Sequence, residues 1–153
     1  GRFGFSDVLT LLLVMDSYVE LYKGGIVPLA DFVNMPYDRD ILVRVIVKKT
    51  AAHYSYKSVR ISKTDFPVLT CAAALTQEGV QAAVGARPAK AALVKDAEQL
   101  ATLPMTAEKA QAFAEYAAGL LPTETNPRGS AAYRTHLIKV LTARCLTELG
   151  GKA

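Results

Sequence analysis

Hydrophobic and polar positions along residues 6–35 predict three short elements. Ser6 and Asp7 precede an apolar run at residues 8–15. Such a run predicts a short buried helix, with either residue as its N-cap and Asp7 suited to the positive end of the helix dipole. Strand-forming residues flank Gly24-Gly25, which predicts a β-hairpin. Residues 30–35 are predicted to form a short helical turn or loop.

The next hydrophobic runs predict a sheet. Residues 41–47 are the clearest strand, with Arg44 as the one charge in the run. Their near-continuous apolarity predicts burial on both faces. Residues 54–62 are expected to begin as strand and become helix, and residues 80–84 to form a strand. The small apolar residues 68–75 are compatible with a strand or with a tightly packed helix.

The second half of the chain has helical periodicity. A short helix is predicted to start at Asp96 and reach residue 101. Thr106 is predicted to cap a longer helix that ends before Pro122, and Ser130 to cap a long final helix that two glycines end. Because strands come early and helices late, the pattern favours an α+β fold over a doubly wound parallel sheet.

Composition changes near residues 48–53, where we place a boundary between domains 1–50 and 51–153. The chain has 153 residues, of which 51% are hydrophobic and 21% charged, as in ordinary globular domains. Its net charge of +4 is scattered. The densest basic stretch is interleaved with two tyrosines, a pattern that nucleic-acid binders share, but a solvated face is the favoured interpretation. Its members are Lys48, Lys49, Lys57, Arg60 and Lys63.

Residue types that carry chemistry are sparse. Cys71 and Cys145 lie in apolar runs and are predicted to be buried free thiols. His53 and His136 are far apart in sequence and lack neighbouring ligands, so no metal site is predicted. No phosphate-binding loop, nucleophile elbow or zinc motif is present, and no complete catalytic constellation is predicted. No apolar run is long enough to cross a membrane.

Three segments nevertheless resemble one protein family. Residues 1–21 contain a Ser-Asp pair, at Ser6 and Asp7, after a glycine-bearing stretch and before a buried helix. Residues 40–70 contain an Ile-Leu strand, a Tyr-Lys pair, basic residues and an aspartate before an apolar strand. Residues 126–146 carry a Gly-Ser, then Tyr-Arg pattern at the start of a long amphipathic stretch.

In their order and spacing, these segments resemble the FAD-binding (medium) subunit of the molybdenum hydroxylase and xanthine dehydrogenase family. The similarity covers its C-terminal half, including the carbon monoxide dehydrogenase flavoprotein C-terminal domain. The resemblance implies that residues 1–50 end an FAD-binding α+β domain. Residues 51–153 would then form a small antiparallel sheet packed with C-terminal helices. The family's preceding half, with its phosphate-binding segment, is not in this sequence.

The resemblance also implies a function. FAD would relay electrons from iron–sulfur clusters on a small subunit to an acceptor such as NAD, after substrate oxidation at a molybdenum cofactor on a large subunit. The chain would be cytoplasmic, and inactive as an oxidoreductase by itself. The alternative is a non-catalytic docking module of the same complex, which an exposed apolar patch on the last helix would favour. Nucleic-acid binding is a distant third hypothesis.

Four residues take cofactor-binding roles from the resemblance. Asp7 would face polar groups of FAD, with Ser6 a weaker candidate. Leu42 would pack against the flavin ring, and Lys57 would stabilise the anionic reduced ring by charge attraction. Each has a simpler interpretation: Asp7 as a helix cap, Leu42 as part of a core, and Lys57 as a solvated lysine.

Overall fold

The computed structural model describes residues 6–37 and 39–151. Within them, two antiparallel sheets are combined with helices, which confirms the α+β class. The helices are α1 (Asp7–Val14), α2 (Leu29–Asn34), α3 (Ala107–Leu120) and α4 (Ala131–Gly150). The strands are β1 (Ser17–Leu21), β2 (Gly25–Pro28), β3 (Leu42–Val47), β4 (His53–Val59), β5 (Leu69–Thr76), β6 (Gly79–Gly85) and β7 (Ala92–Lys95).

The smaller sheet, which we call sheet A, has the strand order β2-β1-β3. The predicted hairpin is confirmed as β1 and β2, which pair antiparallel around a turn. The Asp40 carboxylate clamps this turn, because it accepts hydrogen bonds from the backbone N–H groups of Lys23 and Gly24 at 2.8–3.1 Å. The predicted helical turn at residues 30–35 is confirmed as α2.

The predicted burial of β3 on both faces is wrong. Leu42 and Val45 are each 44% exposed, and most of the strand is solvent-accessible. The physical reason is position: β3 lies at the edge of sheet A, where β1 is its paired neighbour. The core beneath sheet A is built on β1, whose Val19 and Leu21 are buried together with residues of α1 and α2.

The larger sheet, sheet B, has the order β4-β5-β6-β7 and is covered on both faces. On central strand β5, Cys71 and Ala73 belong to the core shared with α3 and α4, whereas Ala72 and Ala74 belong to the core shared with α1. Alternate residues therefore face opposite cores, as strand geometry requires. The two alternatives for residues 68–75 resolve as a strand.

Two further expectations for sheet B are corrected. Residues 54–62 do not turn into helix: β4 ends at Val59, and Arg60 Nη1 holds the following turn by donating to the carbonyl oxygen of Asp65 at 2.6 Å. The predicted helix from Asp96 is also absent. Its carboxylate instead accepts from the backbone N–H groups of Leu100 and Ala101, at 2.9 and 2.7 Å, and fixes a turn after the unpredicted strand β7.

The two long helices begin where the sequence predicts. Thr106 and Ser130 each cap the following helix through a side-chain oxygen. Arg134 of α4 is fully buried. Its guanidinium donates to the carbonyl oxygens of Val68, Glu124 and Gly129 and to Asn126 Oδ1. This side chain therefore joins α4, the loop before it and the start of β5.

Helix α1 packs closely on sheet B. Thr10 Oγ1 and Thr70 Oγ1 are 2.8 Å apart in a buried hydrogen bond. A side chain at Gly85 would lie 2.7 Å from Thr70 Oγ1 and collide with Thr10, so only glycine permits this approach. One apolar core thus contains residues from both sides of the proposed boundary at residue 50. The division into two domains stays a prediction.

Candidate functional site

Ser6 and Asp7 lie together at the N-terminus of α1. Ser6 is the N-cap: its Oγ accepts a hydrogen bond from the backbone N–H of Leu9 at 3.2 Å. Asp7 Oδ1 is 3.0 Å from Arg60 Nη2 in an ion pair. This oxygen is shielded from solvent, and no described residue gives it a hydrogen bond of good geometry. The carboxylate is held in place and keeps capacity to accept hydrogen bonds.

Arg60, directly after β4, pairs with Asp7, and Tyr56 of β4 lies close enough to feel the charges of both residues. Alternation along the strand places Tyr56 on the side of sheet B that faces α1, since its strand partner Ala72 belongs to the α1 core. Burial, and then the Asp7 charge, raise the pKa of Tyr56, so its hydroxyl stays protonated. We call Ser6, Asp7, Tyr56 and Arg60 the Asp7 cluster.

Lys57 faces the other side of the same strand. Its Nζ donates to Glu148 Oε2 of α4 at 2.8 Å, and Ser55 Oγ donates to the same oxygen at 2.9 Å. The hydrogen bond to Glu148 raises the pKa of Lys57, so the ammonium persists above its usual range. This pair lies beside the buried thiol of Cys145, whose predicted burial is confirmed.

The structure brings together only two of the four residues predicted to bind the cofactor. Ser6 and Asp7 are adjacent and share their surroundings with Tyr56 and Arg60. Lys57 projects from the opposite face of sheet B, and Leu42 lies in sheet A opposite Leu21. Because β4 is at the edge of sheet B, however, a ligand beside that edge can approach side chains from both of its faces.

Two residues near the predicted set escaped sequence reasoning. Glu148 contacts Lys57 across 91 positions of sequence, and no local pattern signals such a pairing. Tyr56 was noted as half of a Tyr-Lys pair, but its contribution to the Asp7 cluster depends on α1 packing against sheet B. Arg60, which the sequence analysis placed only in the basic stretch, pairs with Asp7 and so joins the turn after β4 to α1.

The basic stretch does not form a continuous patch. Lys48, Lys57 and Arg60 each pair with a different acid, namely Asp16, Glu148 and Asp7. Paired and dispersed cations are poor recognition elements for nucleic acid. Among the described residues, no group of His, Cys, Asp or Glu could hold a metal ion. None of the described helices combines the length and apolarity needed to span a membrane.

Comparisons with known proteins show the family and the fold of the chain. The family model described as "CO dehydrogenase flavoprotein C-terminal domain" matches residues 54–149, which is more than half of the chain. No curated protein sequence matches. Three solved structures share the fold. Each match covers 99% of this chain and 58% of the solved chain.

The first is quinoline 2-oxidoreductase from Pseudomonas putida 86, with 20% identity and a TM-score of 0.80. The second is a carbon monoxide dehydrogenase from Hydrogenophaga pseudoflava that lacks the Mo-pyranopterin moiety of its cofactor, with 18% identity and a TM-score of 0.84. The third is a reconstituted CO dehydrogenase from Oligotropha carboxidovorans, with 20% identity and a TM-score of 0.78. At these identities the likeness shows the fold.

Proposed function

The chain belongs to the CO dehydrogenase flavoprotein C-terminal domain family, and on that premise we propose that it is part of the FAD-carrying subunit of a molybdenum hydroxylase. Bound FAD would supply one- and two-electron redox chemistry, which the protein side chains themselves lack. The task of this chain would be to position and tune the cofactor. The chain spans only 58% of the solved chains it matches, so the complete site would include residues outside it.

The observation that carries the proposal is the Asp7 cluster. A shielded carboxylate oxygen that lacks a well-formed hydrogen bond from the described residues fits a ligand with hydroxyl donors. FAD offers such donors on its ribityl chain and ribose. Arg60 anchors the carboxylate at 3.0 Å beside the proposed ligand. We assign Asp7 to bind FAD hydroxyls and Ser6 to fix the start of α1.

Leu42 and Lys57 complete the proposed set. Leu42 is 44% exposed, so its side chain is available to cover an apolar ring and exclude water from it. The Lys57 ammonium uses one hydrogen bond for Glu148 and has two donors left. At the edge of sheet B its charge would favour addition of electrons to a bound ring.

The finer parts of the proposal concern the complex. Electrons would enter from iron–sulfur clusters on a small subunit, after oxidation of substrate at a molybdenum cofactor on a large subunit. They would leave to an acceptor such as NAD, as in xanthine dehydrogenase, in the cytoplasm. The 153-residue chain alone is expected to bind FAD weakly and to be inactive, because the phosphate-binding half of the family's FAD domain is outside it.

The test is flavin retention by the intact flavoprotein subunit. Asp7→Ala should lower the FAD content, or weaken FAD binding by about tenfold or more, because a hydrogen bond to a charged group contributes roughly 1.5–3 kcal/mol. Asp16→Ala is the matched control, since Asp16 follows the opposite end of α1 and pairs with Lys48. Equal FAD binding by wild type and Asp7→Ala would contradict the assigned role.

One observation favours the docking alternative. Five large hydrophobic residues on or next to β3 are exposed, and such a row is typical of a contact surface. They are Ile41, Leu42, Val43, Val45 and Val47. On α4, by contrast, Tyr133 is the one exposed large hydrophobic residue among those described. Size-exclusion chromatography with the large and small subunits would separate the hypotheses: assembly that survives complete removal of FAD would favour docking.

A further inference from the structure

The two cysteines of the chain meet in the core between sheet B and α4. Cys71 lies on central strand β5 and Cys145 on α4. Both side chains are fully buried, both belong to the same core cluster, and both are free thiols. They are far apart in sequence, so only the packing of α4 on sheet B makes them neighbours.

Contacts on either side of Cys145 fix its position against Cys71. Thr142 and Glu148 each lie about one helical turn from Cys145 on α4. Thr142 Oγ1 is 3.4 Å from Cys71 Sγ. Glu148 Oε2 accepts a hydrogen bond from Lys57 Nζ at 2.8 Å, and Lys57 is the strand partner of Cys71. Cys145 therefore lies between two contacts that both lead to Cys71, and the two thiols hydrogen-bond to each other.

The two thiols differ in reactivity. The hydrogen bond from Cys71 is the main reason that the pKa of Cys145 is lowered despite burial, and Ser55 and the Lys57 ammonium lower it further. The same hydrogen bond, together with burial, raises the pKa of Cys71. Because the thiolate is the nucleophilic form of cysteine, Cys145 is the more reactive of the two. Cys71 keeps its proton and lies ready to react second.

The pair is close to solvent although it is buried. Lys57 and Glu148, which lie beside Cys145, have side chains that are 31% and 39% exposed. Ion pairs at such exposure are weak, so the two side chains can separate at little cost. Their separation gives a small reagent a path to Cys145 without unfolding of the sheet.

We propose that Cys71 and Cys145 form a reversible disulfide that fastens α4 to sheet B when the protein meets a peroxide. The Cys145 thiolate attacks hydrogen peroxide, the O–O bond breaks, and the released hydroxide leaves as water with the proton that the thiol had given up. The Cys71 thiol then attacks the resulting sulfenic acid, an S–S bond forms, and a second water leaves. Two thiols lose two electrons, and the peroxide gains them. The inference does not depend on the FAD proposal.

The test is peptide mapping of the intact flavoprotein subunit, reduced, folded and then treated with hydrogen peroxide. After free thiols are blocked, mass spectrometry should find the peptides of Cys71 and Cys145 joined, with two hydrogens lost. Dithiothreitol should separate them again. The oxidised protein should melt several degrees higher than the reduced protein, because the disulfide closes a long loop of chain.

Variants test the order of the two steps. Cys71→Ala should leave Cys145 as a sulfenic acid that dimedone labels, whereas Cys145→Ala should leave Cys71 unlabelled. Lys57→Met should slow oxidation several-fold, because it removes the cation that favours the thiolate. Lys63→Met, in the exposed turn after β4, is the matched control and should react at the wild-type rate.

Three results would overturn the proposal. They are the absence of a joined peptide in the folded protein, a disulfide that forms only after unfolding in urea, and dimedone labelling of Cys71 in place of Cys145. A wild-type oxidation rate in Lys57→Met would overturn the activation of Cys145 by this lysine. The mapping of the wild-type subunit needs no substitution, so it decides the matter if an alanine variant fails to fold.

Discussion

The two sheets of this chain differ in how much of their apolar surface is buried. Sheet B is sandwiched between α1 on one face and the α3–α4 pair on the other, and its central strand β5 is built largely from small buried residues. Sheet A has a buried middle strand, yet its β3 presents Val43 and Val45 at 52% and 44% exposure. Sheet B is complete within the chain, whereas sheet A leaves apolar surface that another structure could cover.

Because of this difference, we expect substitutions in the two sheets to affect different properties, namely stability in one and binding in the other. Substitutions at the buried positions of central strand β5 should act on folding, because these side chains pack into the cores on the two faces of sheet B. Substitutions on β3 should act on binding of a cofactor or partner more than on folding. The predictions below test this separation, from the largest expected effect to the smallest.

Two arginines give the largest contrast. Arg134→Met removes a fully buried guanidinium that satisfies four oxygen acceptors, and should lower the free energy of unfolding by roughly 3–5 kcal/mol. Arg44→Met breaks an exposed pair with Glu20 on sheet A and should cost less than about 1 kcal/mol. Urea unfolding of the intact subunit measures both, and equal losses would contradict the comparison.

Two leucines test the same contrast without charge. Leu69→Ala empties a fully buried position of β5 and should cost about 2–5 kcal/mol. Leu42→Ala, at a position that is 44% exposed, should cost about 1 kcal/mol or less while weakening FAD binding. Thermal melts measure the change in stability, and flavin titration measures the change in FAD binding. A stability loss for Leu42→Ala as large as that for Leu69→Ala would mean that β3 is buried in the intact subunit by protein.

Lys57 tests the electron-transfer role. Lys57→Ala in the full complex should slow electron transfer onto the flavin several-fold more than substrate hydroxylation, because a lost positive charge disfavours electrons on the ring. Lys63→Ala, in the exposed turn after β4, is the control. Stopped-flow absorbance follows reduction of the flavin, and product formation measures substrate hydroxylation. Equal slowing of both, or no change in either, would count against the role of Lys57.

The smallest effect is on alkaline stability. Because Glu148 raises the folded-state pKa of Lys57 above its usual 10.5, the stabilisation is fully present below that pH. It is lost as pH rises through the folded-state value. Lys57→Met should therefore show a shallower loss of stability above pH 10.5 than wild type, measured by unfolding at several pH values. An unchanged alkaline slope would show that the pair does not couple to folding.

Local signals were sufficient for much of the fold. Ser6, Thr106 and Ser130 each precede an apolar or amphipathic run, and each caps the helix that the sequence predicts. The hairpin around Gly24-Gly25 was also predicted from the sequence and is confirmed. These elements are set by neighbouring residues, so a pattern along the chain identifies them.

The predictions that were wrong depended on contacts between residues far apart in sequence. An apolar run such as β3 has the same sequence in the centre of a sheet as at its edge, and only the arrangement of other strands decides its burial. Asp96 looks like a helix start, but its two carboxylate oxygens satisfy the backbone of a turn. The candidate site divides in the same way: Ser6 and Asp7 follow from a local motif, while Glu148 and Tyr56 join only through tertiary packing.

The most direct test of the central claim is the visible absorption spectrum of the intact flavoprotein subunit, purified and then titrated with FAD. We predict flavin bands in the purified protein, or their stoichiometric appearance and red shift on titration. Their bleaching when the assembled complex receives its reducing substrate would place the subunit in the electron path. A colourless subunit whose spectrum matches free FAD throughout the titration would contradict the proposed function.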